Sequence, residues 1–383
     1  MYLHRLLEPT LTRAARTFPA VVVTGPRQSG KSTLLRHVLG PRRGTVLSLE
    51  DPRIRELLAG DPIGYLTPLP RPVILDEIQY VPAITTTVKM LVDRDRRPGQ
   101  WFLTGSQQFA VMRHVAESLA GRAAILALPP LQLKERRSLP TLASFISGST
   151  YPEPVTKRSV DPAVWYSSYL QTYLERDVRT QLGVADLRDF EQLLRLLAAR
   201  TSQVLNLSSL AGPLGVSVPT VKRWLSVLEA GYIVHLLPPY FENFGKRLIK
   251  APKLYFLDVG LAAFLLGMDQ GPPPLKGPMA GPLFETAVVS EIIKARYARG
   301  VRPDLYYWRS QNGLEVDLLV PDRGGHVPHE IKLASRVRAE HARGLHAWLA
   351  LAGRKGATGT LITDSRVDAG LGSGIQNRHW SSL

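Results

Sequence analysis

Short apolar runs that end in glycine or polar residues predict a parallel β-sheet in the first part of the chain. Residues 21–23 are three valines, and a glycine-rich stretch and a helix-like pattern follow them. The runs 45–49, 72–77 and 101–106 have the same character. Apolar runs of this length, bounded by turn residues, are typical of strands that helices bury on both faces. We therefore predict an α/β fold for residues 1–145.

The glycine-rich stretch after the first run matches a phosphate-binding loop. It fits the spacing G-x-x-x-x-G-K-[ST] and lies between a predicted strand and a predicted helix, as the motif requires. The backbone N–H groups of such a loop, together with the helix N-terminus, attract phosphate oxygens. We expect Lys31 to reach the β- and γ-phosphates of ATP and the Ser32 hydroxyl to ligate Mg²⁺. The predicted nucleotide-binding residues are Gly25, Pro26, Arg27, Gln28, Ser29, Gly30, Lys31, Ser32 and Thr33.

Two acidic residues end the run 72–77, at the edge of a parallel sheet where ligands bind. We expect Asp76 to hold Mg²⁺, directly or through water, and Glu77 to polarise the water that attacks the γ-phosphate. The alternative is an acidic pair that caps the following helix. Downstream of a phosphate loop, the pattern favours the catalytic interpretation.

Small polar residues and an arginine complete the predicted ATP site. Thr104 and Ser106 end the run 101–106, and Thr104 is the favoured sensor of the γ-phosphate or the lytic water; a plain strand-end turn is the alternative. Arg113 and Arg122 follow, and Arg122 is predicted to stabilise transition-state charge, in cis or across a subunit boundary. A solvated surface arginine is the competing interpretation.

The middle of the chain predicts a linker, a helical region and a winged helix. Residues 146–164 are rich in Ser, Gly and Pro, which predicts a loop or hinge. Residues 165–265 then show helical spacing of apolar residues, which predicts packing helices. Within them, 206–228 contains a serine cap, a tight turn and an early helical proline, which is typical of a helix-turn-helix.

Exposed residues of the second of these helices are expected to face DNA, and a basic tip between two flanking strands is expected to contact phosphates. A winged helix used only for protein contacts is the alternative. The predicted DNA-binding residues are Thr220, Lys222, Arg223, Lys246, Arg247 and Lys250.

Residues 266–383 carry four separated polar residues that suggest a metal site. Glu285 lies on a predicted helix, Asp317 and Glu330 lie on neighbouring predicted strands, and Lys332 shares a strand face with Glu330. A carboxylate buried in a strand is costly unless it binds a metal or a partner. The spacing is compatible with a nuclease-type Mg²⁺ site. The alternative is an inactive module with ion pairs such as Glu330 with Lys332 and Arg309.

Composition changes this picture in two ways. The 383 residues include no cysteine, which excludes disulfides and thiolate metal sites and fits a cytoplasmic protein. The formal net charge of +16 favours nucleic acid or an anionic surface as a partner, although an arginine-rich proteome produces the same excess. No apolar run approaches the ~18 residues that span a bilayer, so we expect no membrane segment.

Taken together, the motifs resemble a widespread family of bacterial and archaeal AAA-superfamily ATPases that carry a C-terminal domain of unknown function. The resemblance covers nearly the whole chain. It implies a P-loop AAA-type parallel sheet with helices, followed by a winged helix and a restriction-endonuclease-like α/β domain similar to PD-(D/E)XK nucleases. The matching stretches are 25–32, 75–79, 102–106, 119–122, 173–177, 253–258, 284–285, 315–317 and 330–332.

The predicted division of the chain is an ATPase core at 1–145, a linker at 146–164, a helical region with a winged helix at 165–265 and a nuclease-like domain at 266–383. The predicted function is Mg²⁺-dependent ATP hydrolysis by a homo-oligomer that binds duplex or branched DNA and remodels or translocates it, Holliday-junction migration included. One alternative is an ATP-gated, metal-dependent DNA nuclease. The other is an ATP-controlled regulatory or adaptor protein.

Overall fold

The structure is a computed structural model of the chain. It describes residues 2–40, 44–105, 118–174, 178–179, 187–240, 251–268, 275–310, 312–322, 325–353, 358–367, 371–372 and 374–383. Several residues named above lie outside this part of the chain: Ser106, Arg113, Lys246, Arg247 and Lys250. None of the described helices has the combination of length and apolar character that a bilayer crossing requires.

A five-stranded parallel sheet in the order β2-β3-β4-β1-β5 forms the centre of the first part of the chain. Its strands are β1 (Ala20–Thr24), β2 (Thr45–Ser48), β3 (Val73–Asp76), β4 (Trp101–Gly105) and β5 (Ala123–Ala127). The described helices around it are α1 (Glu8–Thr17), α2 (Lys31–Leu39), α3 (Pro52–Gly60), α4 (Pro62–Leu66) and α5 (Ile84–Arg94).

The predicted α/β fold is confirmed in this part. Strands β1, β3 and β4 are buried along their whole length, because apolar side chains cover the sheet on both faces. All neighbouring strands run parallel. Their carboxyl ends therefore meet at one edge, and the phosphate loop begins at this edge, directly after β1.

The middle part is mostly helical. Its elements are α6 (Leu142–Ser147), α7 (Pro152–Thr156), α8 (Pro162–Tyr173), α9 (Leu187–Ala198), α10 (Leu207–Leu214), α11 (Val218–Ala230), β6 (Val234–Leu237), β7 (Lys253–Phe256) and α12 (Val259–Leu265). Ser217 caps α11 by accepting from the Thr220 N–H, and β6 pairs with β7 in antiparallel register. Two helices joined by a tight turn are thus followed by a two-stranded sheet.

The segment 146–164, predicted as a loop or hinge, is packed instead. Its Tyr151 is buried and its ring lies against Trp165 and Tyr169 of α8. The Asp258 carboxylate accepts hydrogen bonds from the backbone N–H and the hydroxyl of Thr150, both at 2.6 Å. Two prolines of this stretch lie in the short helix α7, and the burial of Tyr151 packs the segment against α8.

The last part is a second α/β unit with a mixed sheet in the order β12-β11-β10-β9-β8. Its elements are α13 (Ala280–Ala298), β8 (Tyr306–Arg309), β9 (Glu315–Asp322), β10 (Gly325–Ile331), α14 (Arg343–Ala352), β11 (Gly359–Thr363) and β12 (Ile375–His379). Strands β8, β9 and β10 pair antiparallel, whereas β10, β11 and β12 run parallel.

Helix α13 also joins this unit to the ATPase core. The Thr10 hydroxyl of α1 donates to the Ala298 carbonyl at 2.8 Å, and the Leu133 N–H donates to the Glu291 carboxylate at 2.7 Å. The Lys294 ammonium donates to the same carboxylate and to the Leu131 carbonyl. The first and last parts of the chain therefore share a buried polar interface.

Candidate nucleotide-binding site

The phosphate loop requires glycine at two positions. Gly25 has φ +147°, and a Cβ there would lie 2.2 Å from the Leu128 carbonyl oxygen. Gly30 has φ +92° and immediately precedes α2. Left-handed or otherwise positive φ is cheap only for glycine, so a side chain at either position would distort the loop. Gln28 also has a positive φ, +60°, without being glycine.

Lys31 is held over the loop. Its ammonium donates to the Gly25 carbonyl at 3.1 Å and to the Pro26 carbonyl at 2.9 Å, and the side chain is buried. These carbonyls keep the positive charge beside the concave face of the loop. The ammonium is thus positioned where the motif expects phosphate oxygens.

The structure brings four of the predicted catalytic and metal-binding residues together. The Ser32 hydroxyl donates to Asp76 Oδ1 at 2.8 Å, and the Thr104 hydroxyl donates to the same oxygen. The Glu77 N–H in turn donates to the Thr104 hydroxyl at 3.3 Å. Three elements converge here, because β3, β4 and the start of α2 all end or begin at the carboxyl edge of the sheet.

The donor set fits Mg²⁺. The Ser32 hydroxyl and the Asp76 carboxylate offer hard oxygen ligands that already lie within hydrogen-bond distance of one another. Mg²⁺ prefers one or two such protein ligands together with substrate phosphates and water. These two residues would hold the ion, which supplies charge neutralisation at the phosphates when it is bound.

Glu77 has an unusual backbone. Its φ is +58° and ψ is +52°, a left-handed conformation that non-glycine residues rarely adopt. Its carboxylate accepts a hydrogen bond from the Gln79 amide, and the residue is half-buried. Strain of this kind concentrates at functional sites. The turn directs the chain away from β3 immediately after the buried Asp76.

Arg122 does not lie at this site. It immediately precedes β5, and its carbonyl accepts from the Ala20 N–H, which places it at the amino edge of the sheet. The five residues of β1 separate that edge from the phosphate loop, a distance of about 16 Å. Its guanidinium forms a bidentate ion pair with the Asp93 carboxylate, with donor–acceptor distances of 2.6 and 3.0 Å. A role in cis is therefore wrong, and a role across a subunit boundary stays a prediction.

One residue that supports the loop was missed by the sequence analysis. Arg5 is buried; its guanidinium donates to the Ser29 carbonyl at 2.7 Å, to the Pro129 carbonyl at 2.7 Å and to the Glu135 carboxylate at 3.0 Å. Glu135 also accepts from the Leu6 N–H at 2.6 Å. These hydrogen bonds hold the phosphate loop in position, and no local sequence pattern around Arg5 predicts them.

A second missed contact joins the loop strand to the helical region. The hydroxyls of Tyr232 and Thr24 are 2.8 Å apart and hydrogen-bonded. Thr24 immediately precedes the phosphate loop, and Tyr232 follows α11 with a left-handed φ of +58°. Burial raises the pKa of Tyr232 to about 12, so its hydroxyl is neutral at physiological pH. A cavity of about 650 Å³ lies beside this contact and reaches Tyr297 and Arg302.

The predicted DNA-contacting residues of α11 differ in exposure. Lys222 and Arg223 are exposed, whereas Thr220 is partly buried and its hydroxyl lies 2.8 Å from the Ser217 hydroxyl. Thr220 thus takes part in the helix cap. The two basic side chains lie on the outer face of the helix, opposite the buried Trp224 and Leu228.

The four polar residues predicted in the last part, Glu285, Asp317, Glu330 and Lys332, also converge. We define the acidic cluster as Glu285, Glu315, Asp317 and Glu330; Glu315 was not among the predicted residues. Lys332 donates to Glu330 at 2.8 Å and lies 3.5 Å from Asp317. The sequence analysis missed the other cation in this cluster. Lys253 of β7 lies 3.2 Å from Glu285 and 3.4 Å from Asp317, and it also contacts Glu315.

Ionisation in the cluster follows from this arrangement. Burial, followed by the charge of Asp317, raises the pKa of Glu285 to about 7 and that of Glu330 to about 8. Burial alone would raise the pKa of Asp317, but Lys253 and Lys332 lower it below its usual value. Burial would likewise lower the pKa of Lys253, yet the surrounding Tyr255 and carboxylates raise it well above the ordinary value. Lys253 is therefore charged at neutral pH.

Three family models match successive parts of the chain. An AAA domain matches residues 17–136, a domain of unknown function (DUF8612) matches 141–271, and a second domain of unknown function (DUF4143) matches 280–381. The uncharacterized proteins Rv2008c of Mycobacterium tuberculosis and Mb2031c of Mycobacterium bovis are both 33% identical over 327 residues. The matched segment covers 85% of this chain and 73% of each relative.

The chain belongs to the family of Rv2008c. Its AAA domain contains the phosphate loop together with Asp76, Glu77 and Thr104. The predicted AAA-type ATPase is thereby confirmed at the level of the domain.

Two solved structures were also compared. The Walker-type ATPase PABY2304 of Pyrococcus abyssi is 16% identical, with 68% of this chain and 94% of that chain covered and a TM-score of 0.43. A RuvB variant of Thermotoga maritima is 18% identical, with 61% and 86% covered and a TM-score of 0.29. Likenesses of this size do not establish a common architecture, and the family assignment rests on the sequence matches.

Substitution of Arg5 tests the support of the phosphate loop. We expect Arg5→Met to weaken ATP binding about tenfold, since the loop loses a charge-assisted hydrogen bond at Ser29. Calorimetric titration with ATP measures this at a temperature where both proteins are folded. Arg5→Lys should recover part of the affinity, and Arg16→Met, an exposed arginine of α1, should bind like the wild type. Equal affinity of Arg5→Met and Arg16→Met would contradict the assignment.

Proposed function

We propose that this chain is a Mg²⁺-dependent ATPase that binds DNA through the helix-turn-helix of residues 207–230 and uses ATP hydrolysis to remodel or translocate it. The protein works as a homo-oligomer in this proposal. The observation that carries it is the hydrogen bond between Thr24 and Tyr232. That contact links the residue before the phosphate loop to the residues that follow the exposed basic helix α11.

In the chemical step, each residue at the sheet edge has a separate task. The Lys31 ammonium leaves its loop carbonyls for the phosphate oxygens, where it offsets developing negative charge. The Glu77 carboxylate orients a water molecule and accepts its proton as the water attacks the γ-phosphorus. The bond from the γ-phosphorus to the β–γ bridging oxygen breaks in the same step, and ADP leaves with that oxygen. Thr104, already hydrogen-bonded to Asp76 and to the Glu77 N–H, fixes the relative position of these two residues.

DNA is the favoured partner because of where the exposed positive charge lies. Lys222 and Arg223 are exposed on α11, and the chain has a net charge of +16. The second helix of a helix-turn-helix is the element that enters the major groove. Basic side chains on such a helix contact phosphates and give an affinity that falls steeply with salt.

The path from DNA to ATP is short. If DNA binding shifts α11, Tyr232 moves with it. The Tyr232 hydroxyl is hydrogen-bonded to Thr24 at the end of β1. Tyr232 also packs edge-to-face against Tyr297 of α13, with ring centroids 5.8 Å apart. The three parts of the chain thus meet next to the phosphate loop. A second copy of the chain would supply Arg122, which has no access to the loop of its own chain.

The ATPase itself is tested by two substitutions in the loop and at the strand end. Glu77→Gln should retain ATP binding and lower kcat by about a hundredfold or more, because the general base is lost. Lys31→Ala should lose nucleotide binding. Phosphate release and ATP titration of the same preparations separate the two effects. Wild-type turnover by Glu77→Gln would remove this residue from the proposed chemistry.

The DNA proposal is tested with a charge-reversed α11. We expect duplex or junction DNA to raise the ATPase rate of the wild type, and Lys222→Glu with Arg223→Glu to lose about tenfold or more in DNA affinity. Fluorescence anisotropy at about 50 mM and about 200 mM salt, a range over which counterion release changes DNA affinity strongly, measures the affinity. Arg13→Glu with Arg16→Glu on α1 is the matched control. If the wild type binds no DNA at moderate salt, the adaptor alternative is favoured.

A further inference from the structure

We infer that Lys253 is the resident cation of the acidic cluster, and that this cluster joins β7 to the C-terminal sheet as an ion-pair lock without a divalent metal. The inference goes beyond the ATPase proposal and does not depend on it. It also assigns a function to carboxylates that the family resemblance associates with a nuclease centre.

The geometry of Lys253 matches the number of its donors. An ammonium group has three N–H donors and no acceptor. Its Nζ lies 3.2 Å from Glu285 Oε1 and 3.4 Å from Asp317 Oδ1, and it contacts Glu315 Oε1 as the third acceptor. All three donors therefore have a carboxylate partner. The side chain of Lys253 is only 5% exposed, so water does not compete for these donors.

Both oxygens of Asp317 and one oxygen of Glu285 already have donor partners, whereas Glu330 Oε2 is buried without one among the described residues. Asp317 Oδ1 and Glu285 Oε1 face Lys253, and Glu285 Oε1 also accepts from the Tyr255 hydroxyl at 2.6 Å. Asp317 Oδ2 accepts from the Ile331 N–H at 2.9 Å and lies 3.5 Å from the Lys332 ammonium. Mg²⁺ demands near-octahedral oxygen ligands at short range. The donor set, with a buried ammonium in its centre, does not fit that ion.

Lys253 cannot easily withdraw, because its backbone is fixed. Its strand β7 pairs with β6, where Lys253 lies opposite Leu237. On its other side, the Leu205 N–H donates to the Pro252 carbonyl at 2.8 Å. The ammonium also lies 5.7 Å from the centre of the Tyr307 ring. The ammonium is therefore placed by the hairpin next to the helix-turn-helix, whereas the carboxylates belong to α13, β9 and β10.

Lys332 differs from Lys253 in the exposure of its side chain. Its side chain is 41% exposed and contacts the outer side of the cluster, at Glu330 and Asp317. It resembles the lysine that a nuclease-type site would use at the developing phosphate charge. Lys253 lies among Glu285, Glu315 and Asp317, the place where a nuclease-type site would bind its metal ion. The two cations together offset the negative charge of the cluster, since both lie beside Asp317.

Manganese binding by the nucleotide-free full-length protein tests the inference. Electron paramagnetic resonance counts bound Mn²⁺, and the comparison of wild type with Asp317→Asn isolates sites that need the cluster. We expect the same number of Mn²⁺ ions per chain in both proteins. In Lys253→Met we expect one additional Mn²⁺ per chain, since the carboxylates then lack their internal cation. Lys253→Met with Asp317→Asn should lose that additional ion.

Lys276→Met removes an exposed lysine outside the cluster and should bind like the wild type. An Asp317-dependent Mn²⁺ site in the wild type, or Asp317-dependent cleavage of DNA, would overturn the inference. So would a folded Lys253→Met protein that gains no ion. Should Lys253→Met fail to fold, the comparison of wild type with Asp317→Asn still decides.

Discussion

The carboxyl end of strand β1 is the point on which the rest of the structure depends. The phosphate loop begins there at Gly25, whose positive φ and close approach to Leu128 leave no room for a side chain. Arg5 donates a hydrogen bond to the Ser29 carbonyl of the loop, and the Tyr232 hydroxyl is hydrogen-bonded to Thr24, the residue before the loop. The loop and the strand end before it are therefore joined, through single hydrogen bonds, to other parts of the chain.

Buried charges lie within the ATPase core and between the parts of the chain, and each has several partners. Arg5 binds Glu135 and two carbonyls, Lys294 binds Glu291 and the Leu131 carbonyl, and Lys253 binds three carboxylates. A buried ion pair contributes little to stability unless its remaining donors are satisfied, whereas loss of one partner is costly. Such contacts favour one arrangement of the parts over others.

Features encoded locally could be predicted from the sequence, and those that arise from distant contacts could not. The phosphate loop and the acidic strand end were recognisable because spacing and flanking elements specify them within a few residues. The contacts of Arg5 with Glu135 and of Thr24 with Tyr232 span 130 and 208 residues, and no local pattern marks them. The prediction that Arg122 lies at the ATP site of its own chain was wrong because Arg122 precedes β5. The parallel direction of the strands places it at the amino edge of the sheet, away from the phosphate loop.

The proposed coupling of Tyr232 to the phosphate loop can be tested by a single measurement. ATP turnover is measured with and without duplex DNA for the wild type, for Tyr232→Phe and for the neighbouring Tyr297→Phe as a control. We expect equal basal rates in all three proteins and a DNA-stimulated rate that only Tyr232→Phe loses, although it still binds DNA. Undiminished stimulation of Tyr232→Phe would contradict it.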